Sequence, residues 1–264
     1  MKDRLKTLLL LAIMAISISA SAQNDKVWPL STKSEEAKAS FKQAVDRLWN
    51  ARIDQYREKI AEAVKADPDF FLAHANIALV EFNDDKSKSS ENLKKALEIS
   101  QDNLTGPEKI VRQVLVNLND NKLDVIKANL DEMVSTYPDA IQSYEFAMGI
   151  SRNILNDSIA AFNYALKAVE KNPDHGPAWN QLGYYYMSHG DMAKAKDAFN
   201  NYLRCSPNEA NAHDSFGDFC MKEGKYDEAR MHYEQAVSMG MTASRERAEK
   251  ARTLAQGSGE PDND

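Results

Sequence analysis

Apolar residues in this chain fall in paired runs, each spaced for one face of a helix and each closed by a glycine or a proline. Trp179, Leu182 and Tyr186 stand at i, i+3 and i+7, the spacing of one apolar stripe along a helix. Gly183 interrupts the stripe where a second helix must come close, because a missing Cβ permits the approach. Gly190 follows as a left-handed helix end. Ala193, Ala195, Ala198, Phe199 and Tyr202 mark a second amphipathic helix, and Pro207 stops it. One such pair cannot bury its apolar faces, so pairs must stack.

The pattern repeats in phase. His213, Phe216, Gly217 and Cys220 restate the first stripe, and Ala229, Tyr233 and Ala236 restate the second. Pro173 closes an earlier pair, in which Glu145 takes the place of the tryptophan and Gly149 that of the glycine. Pro138 closes the pair before it and Pro68 the first, while the second ends near Gln101 without a proline. The count is about six helix pairs over 34–241, uninterrupted by any long linker, which predicts one elongated all-α domain. Residues 242–256 then form a further helix, rich in Arg, Glu and Lys and opened by Thr242-Ala243-Ser244, whose polar back covers the exposed end of the stack. Ahead of the array, 23–33 reads as an extended lead-in, with Trp28-Pro29-Leu30 docking on the first pair. The acidic tail 257–264 has no large apolar residue and is expected to be disordered.

Trp179-x2-Leu182-Gly183-x2-Tyr186, then Ala195-x3-Phe199, then Pro207, resembles the tetratricopeptide repeat family. The resemblance implies a right-handed α-solenoid whose first helices line a concave surface that holds partner segments. Its ligand-facing repeat positions fall on Pro177, Asn180, Tyr184, Met187 and Ser188 in the fifth pair, and on Asn211, Asp214, Asp218, Met221 and Lys222 in the sixth. Asn180, Tyr184, Met187, Asn211, Asp214, Asp218 and Met221 are therefore the expected partner-binding residues. Asp214 and Asp218 stand where some relatives clamp a terminal carboxylate with cations, so a partner carrying Lys or Arg suits this chain better. In the early pairs the same positions give Phe41, Trp49, Leu72, Leu79, Phe82, Val111 and Leu115, either an apolar groove or core. The implied function is a non-catalytic protein-interaction scaffold; the alternative is a small-molecule or glycan binding protein using the same concavity.

The N-terminus adds a location. Lys2, Arg4 and Lys6 precede the apolar run Leu8 to Ile18, and Ala20-Ser21-Ala22 offers a small-residue cleavage site, so 1–22 reads as a signal peptide. The run is too short to span a bilayer as a helix, so the mature chain is expected to have no transmembrane helix and to be exported, to the periplasm or cell envelope or outside the cell. The formal charge of −7, made more negative by losing that basic leader, argues against nucleic acid as a partner.

Chemistry is thin. The five histidines form no metal-binding spacing, and there is no Gly-rich phosphate loop or nucleophile elbow, so neither catalysis, metal nor cofactor is expected. His74 and His213 replace the stripe tryptophan and read as packed rings satisfied by the backbone. Cys205 and Cys220 lie at offset heights on neighbouring helices and are expected to be buried, unbridged thiols. Asp157-Ser158-Ile159 resembles an O-glycan acceptor triplet of some exported bacterial proteins, although turn chemistry accounts for Asp and Ser equally well. Of Tyr184-Tyr185-Tyr186, the reading makes Tyr186 core and Tyr184 ligand-facing.

Overall fold

A computed structural model describes residues 26–257; the expected signal peptide and nearly all of the tail lie outside the described residues. Six helix pairs follow one another: α1 (Glu35–Trp49) with α2 (Ile53–Ala66), α3 (Phe71–Val80) with α4 (Lys86–Glu98), and α5 (Gly106–Asn119) with α6 (Leu123–Thr136). Next come α7 (Ile141–Asn153) with α8 (Ser158–Lys171), α9 (Gly176–Ser188) with α10 (Met192–Cys205), and α11 (Ala210–Lys222) with α12 (Tyr226–Ser238). A single helix, α13 (Ser244–Gly257), ends this α-solenoid.

Local chemistry sets the boundaries. Ser34, Asp85, Asp157 and Asp191 cap their helices by accepting from the backbone N–H three residues on. Turn chemistry thus employs Asp157 of the Asp-Ser-Ile triplet. Within five of the six pairs the chain reverses through one left-handed residue, Ala51, Asn121, Asn156, Gly190 or Gly224; the second pair has none. The second pair lacks its proline, and the Arg112 guanidinium takes its place. It donates to the carbonyls of Ala96, Leu97 and Ile99 at the end of α4.

A repeated bond explains why histidine can stand for tryptophan. Trp179 Nε1 donates to the Pro173 carbonyl at 2.8 Å, six residues back, and His74 Nε2 lies 2.8 Å from the Pro68 carbonyl. In the fourth pair the residue that makes this bond is Tyr144, whose hydroxyl donates to the Pro138 carbonyl at 2.9 Å. The register expected there is therefore corrected by one: Tyr144 holds the tryptophan's place and Met148 the glycine's, and both are buried. The extra residue sits in the α7–α8 turn, where four residues replace the three of the α9–α10 turn. Gly149 accordingly faces open space, with nothing within 4 Å of where a Cβ would be.

Close packing follows the glycines that are in register. A Cβ on Gly183 would stand 2.6 Å from the Phe199 ring, and one on Gly217 would stand 2.6 Å from the Tyr233 ring. Elsewhere the volumes trade. The same two places hold Ala44 and Ile60 in the first pair, Val114 and Leu130 in the third, and Met148 and Ala165 in the fourth, all buried.

The array is less extended than its sequence suggests. Trp49 and Phe82 of the first two pairs pack on the cluster formed by Val114, Leu118, Tyr144 and Leu182 in later ones. Asn83 donates to the Asn153 carbonyl at 2.7 Å, and Arg52 pairs with Glu209 at 2.8 Å, joining the first pair to the start of the sixth. Leu72, Val111 and Leu115 are thereby core, and Phe41, Trp49, Leu79 and Phe82 are half-buried against it, so these positions form no open groove. The lead-in also departs from expectation: Trp28 reaches the fourth pair, donating to Ser143 Oγ at 3.0 Å and tilting against Phe146. Both cysteines are free thiols, but only Cys220 is buried; Cys205 is half-exposed.

Candidate functional site on the first helices

The first helices α7, α9 and α11 lie side by side, and one register position on each carries a polar residue. In the corrected register these are Glu145, Asn180 and Asp214, spaced by one repeat. Their surroundings differ. Asp214 is almost fully buried and accepts from Ser244 Oγ at 2.5 Å, while Arg247 pairs with it at 2.9 Å. Burial pushes the Asp214 carboxyl above its ordinary range, with Ser244 and Arg247 pulling the other way.

Arg247 is the cation that the sequence assigned to a partner. It stands on α13 one repeat after His213, at the tryptophan's place, and lies 3.6 Å from Asp218 and over the Tyr233 ring. Asp218 further accepts from the Tyr184 and Tyr233 hydroxyls, each at 2.7 Å. Burial first, and Asp218 beside it, push the Tyr184 phenol well above its usual range. Asn211 donates to the Tyr202 hydroxyl at 2.9 Å. The structure thus brings Tyr184, Asp214 and Asp218 together into one network with Ser244 and Arg247, closed within the chain, and holds Asn211 in a buried bond of its own. A partner cation has no place at the two aspartates here, because Arg247 occupies it. The arginine's repeat spacing from His213 was the signal that could have disclosed this.

Asn180, Met187 and Met221 remain half-buried and open to one side. The Asn180 Oδ1 is buried with no hydrogen-bond partner. Glu145, on the neighbouring helix, meets no Lys or Arg among the described residues; the nearest ring is His175, with Nε2 3.6 Å from Oε1. Desolvation alone pushes the Glu145 carboxyl up to about 7 and the His175 imidazole down to about 4. At neutral pH this contact is therefore weak, since His175 is uncharged.

Tyr186 packs as expected on the clusters of the neighbouring helices, whereas Tyr184 is not free to face a ligand. Tyr184 is spent on Asp218, whereas Tyr186 is half-buried and lines an open groove of about 300 Å³ with Leu166, Val169, Trp179, Lys194 and Asn201. His213 and His232 face each other with Nδ1 atoms 3.2 Å apart. Among the described residues no group of three or more His, Cys, Asp or Glu is placed to hold a metal, and no helix is long and apolar enough to cross a membrane.

Family models described as tetratricopeptide repeat match residues 164–197 and 210–239, which span the α8–α10 and α11–α12 packing units. The chain is a tetratricopeptide repeat protein. Among solved structures, this repeat protein is similar to PilW, a widely conserved type IV pilus biogenesis factor, at 18% identity over 84% of this chain and 99% of that one, with a TM-score of 0.46. It is similar to MamA from MSR-1 at 16% identity over 66% and 98%, TM-score 0.41. It is similar to a chain of the APC/C hetero-tetramer Cut9-Hcn1 at 16% identity over 83% and 43%, TM-score 0.47. No curated protein matches the chain. The repeat fold supports, in general terms, a protein-interaction scaffold.

Proposed function

We propose that this tetratricopeptide repeat protein is an exported, non-catalytic scaffold that holds a partner segment bearing Lys or Arg along the ridge of α7 and α9. The supporting observation is the contrast within one register position. Asp214 has its cation and hydroxyl donor supplied by α13, whereas Glu145 has no cation and Asn180 Oδ1 has no donor. A guanidinium or ammonium from a partner supplies the missing cation at Glu145. Met187 and Met221 are half-buried against the cluster of the later helices and offer adaptable apolar contact on their exposed side.

The test begins with photo-crosslinking in the native envelope from residues placed at Asn180, Met187 and Met221, with Met231, which is 62% exposed, as the control position. The partner so trapped should bind more tightly as pH rises through about 7, because a cation favours the ionised Glu145. Glu145→Gln should weaken binding and flatten that pH profile. Affinity indifferent to both would remove the ridge from consideration. Export is checked by intact mass, with Gln23 as the expected first residue. A second reading, a small glycan or metabolite ligand, is favoured by Trp179 and Tyr186 opening onto a groove with Lys194, Asp197 and Asn201 beside them.

A further inference from the structure

The lead-in does not rest on the array as a stray end. Its path is read residue by residue by two first helices that belong to later pairs. Trp28 is 9% exposed, and its indole N–H donates to Ser143 Oγ at 3.0 Å while the ring leans on Phe146 at 5.9 Å between centroids. Thr105 Oγ1 donates to the Pro29 carbonyl at 3.0 Å. Ser31 donates twice to Glu108 Oε1, from its backbone N–H and its hydroxyl, each at 3.0 Å. Thr32 hydrogen-bonds Asp67, after which Ser34 begins α1. Glu108 and Ser143 are the third residues of α5 and α7, so the strand crosses successive first helices at the same level.

Three features mark this shelf as a recognition site. First, it reads main-chain groups, one carbonyl and one N–H, which any extended segment presents. Second, Glu108 is a fully buried carboxylate whose Oε2 takes the Thr105 backbone N–H at 2.9 Å, leaving Oε1 wholly to Ser31. A buried carboxylate is costly unless its lone pairs are met, so the shelf requires a strand with donors at that point. Third, the occupant is held by one large anchor. Val27 is 53% exposed, Leu30 is only partly buried, and the strand belongs to no helix. Pro29 keeps Trp28 extended before any contact is made, which lowers the ordering cost of docking.

We propose that the shelf across the starts of α5 and α7 is a strand-recognition site for an extended segment of the pattern Trp-Pro-x-Ser, with an exchangeable occupant. The chain's own lead-in fills it in cis, and a partner strand carrying an indole, a proline and a hydroxyl residue two places later takes it in trans. The site shares α7 with the Glu145 ridge but uses Ser143 and Phe146, and its test reads strand docking independently of that ridge.

The experiment uses the full chain and a fluorescent peptide with the sequence of residues 25–33. In the wild type, hydrogen exchange should show the Ser31 amide protected, and the peptide should bind weakly against its tethered competitor. Trp28→Ala should expose that amide and raise peptide affinity at least tenfold. Glu108→Gln added to it, or a peptide with Ala for Trp, should reverse the gain by at least tenfold. Should Trp28→Ala fail to fold, Ser31→Pro, which removes the N–H and the hydroxyl that Glu108 accepts, should give the same rise in peptide affinity and the same reversal. A folded variant that leaves the peptide unbound, or a wild type whose Ser31 amide is unprotected, overturns the proposal.

Discussion

In the fifth and sixth pairs a ring from the second helix lies on a glycine of the first, and the contact recurs one repeat later: Phe199 on Gly183, Tyr233 on Gly217. In the first three pairs alanine or valine holds the glycine's place where the register is clear, and cohesion comes from far along the chain. Trp49 and Phe82 reach the cluster of later pairs, Trp28 reaches α7, and Arg52 reaches Glu209. One region is a neighbour-coupled stack; the other is a wrapped core that uses distant partners. The consensus pattern is thus a recipe for nearest-neighbour packing, and a unit departs from it freely once other parts of the chain fill its volume.

The largest effect that probes this comparison is at Gly183. Gly183→Val should lower stability by about 3 kcal/mol, through overpacking against Phe199. Urea denaturation followed by circular dichroism measures it, and midpoints that coincide with wild type would dissolve the distinction between the two regions.

Glu145, at the boundary between them, should give the next effect. Its carboxyl is pushed up to about 7 by burial, so the folded chain keeps a proton that the unfolded chain releases near 4.5. Stability is therefore lost as pH rises through the interval from about 4.5 to 7, and the loss is complete above it. Glu145→Gln removes the cost and should raise stability by about 2 kcal/mol at pH 8, with no gain at pH 4.5. His175 titrates in the same way in both proteins and cancels from the difference. A gain of equal size at both pH values would point to packing instead of ionisation.

Smaller effects test the turns and the misaligned glycine. Ala51 takes the left-handed conformation that Gly190 and Gly224 supply in the later pairs, so Ala51→Gly should stabilise by about 1 kcal/mol, read as a rise in thermal midpoint. Gly149→Ala should gain about 0.5 kcal/mol from helix propensity, because nothing lies near its Cβ, whereas Gly183→Ala should lose. Opposite signs at these two glycines separate register from mere residue type; equal signs would put Gly149 back in contact with a second helix.

Most of the architecture was legible because prolines and apolar stripes share one period. The helix pairs, the reversal at Gly190 and the closing helix all follow from it. The fourth pair was misread by one residue, since its extra residue lies in the α7–α8 turn and a count backward from Trp179 passes through it unseen. The bond to the preceding proline carbonyl would have fixed the register on Tyr144. Partner-facing residues were harder to read. Position in the repeat marks which side of a helix a residue faces, but it does not say whether the chain's own Arg247 already stands opposite Asp214 and Asp218. Nor does any local pattern tell that Trp28 will find Ser143 rather than the adjacent pair, because that contact depends on how the whole array curls.

Arg247 has a consequence for how such a chain can lengthen. The second to sixth pairs present an indole, another ring or an aliphatic group at this place (His74, Ile110, Tyr144, Trp179 and His213); here a guanidinium is spent on two carboxylates behind it. A unit duplicated before α13 inherits a surface able to accept it, while a unit added after α13 meets charge where its ring should pack. Arg247 therefore works as punctuation: the number of repeats is written by where this one residue falls, and growth by duplication is confined to the interior of the array.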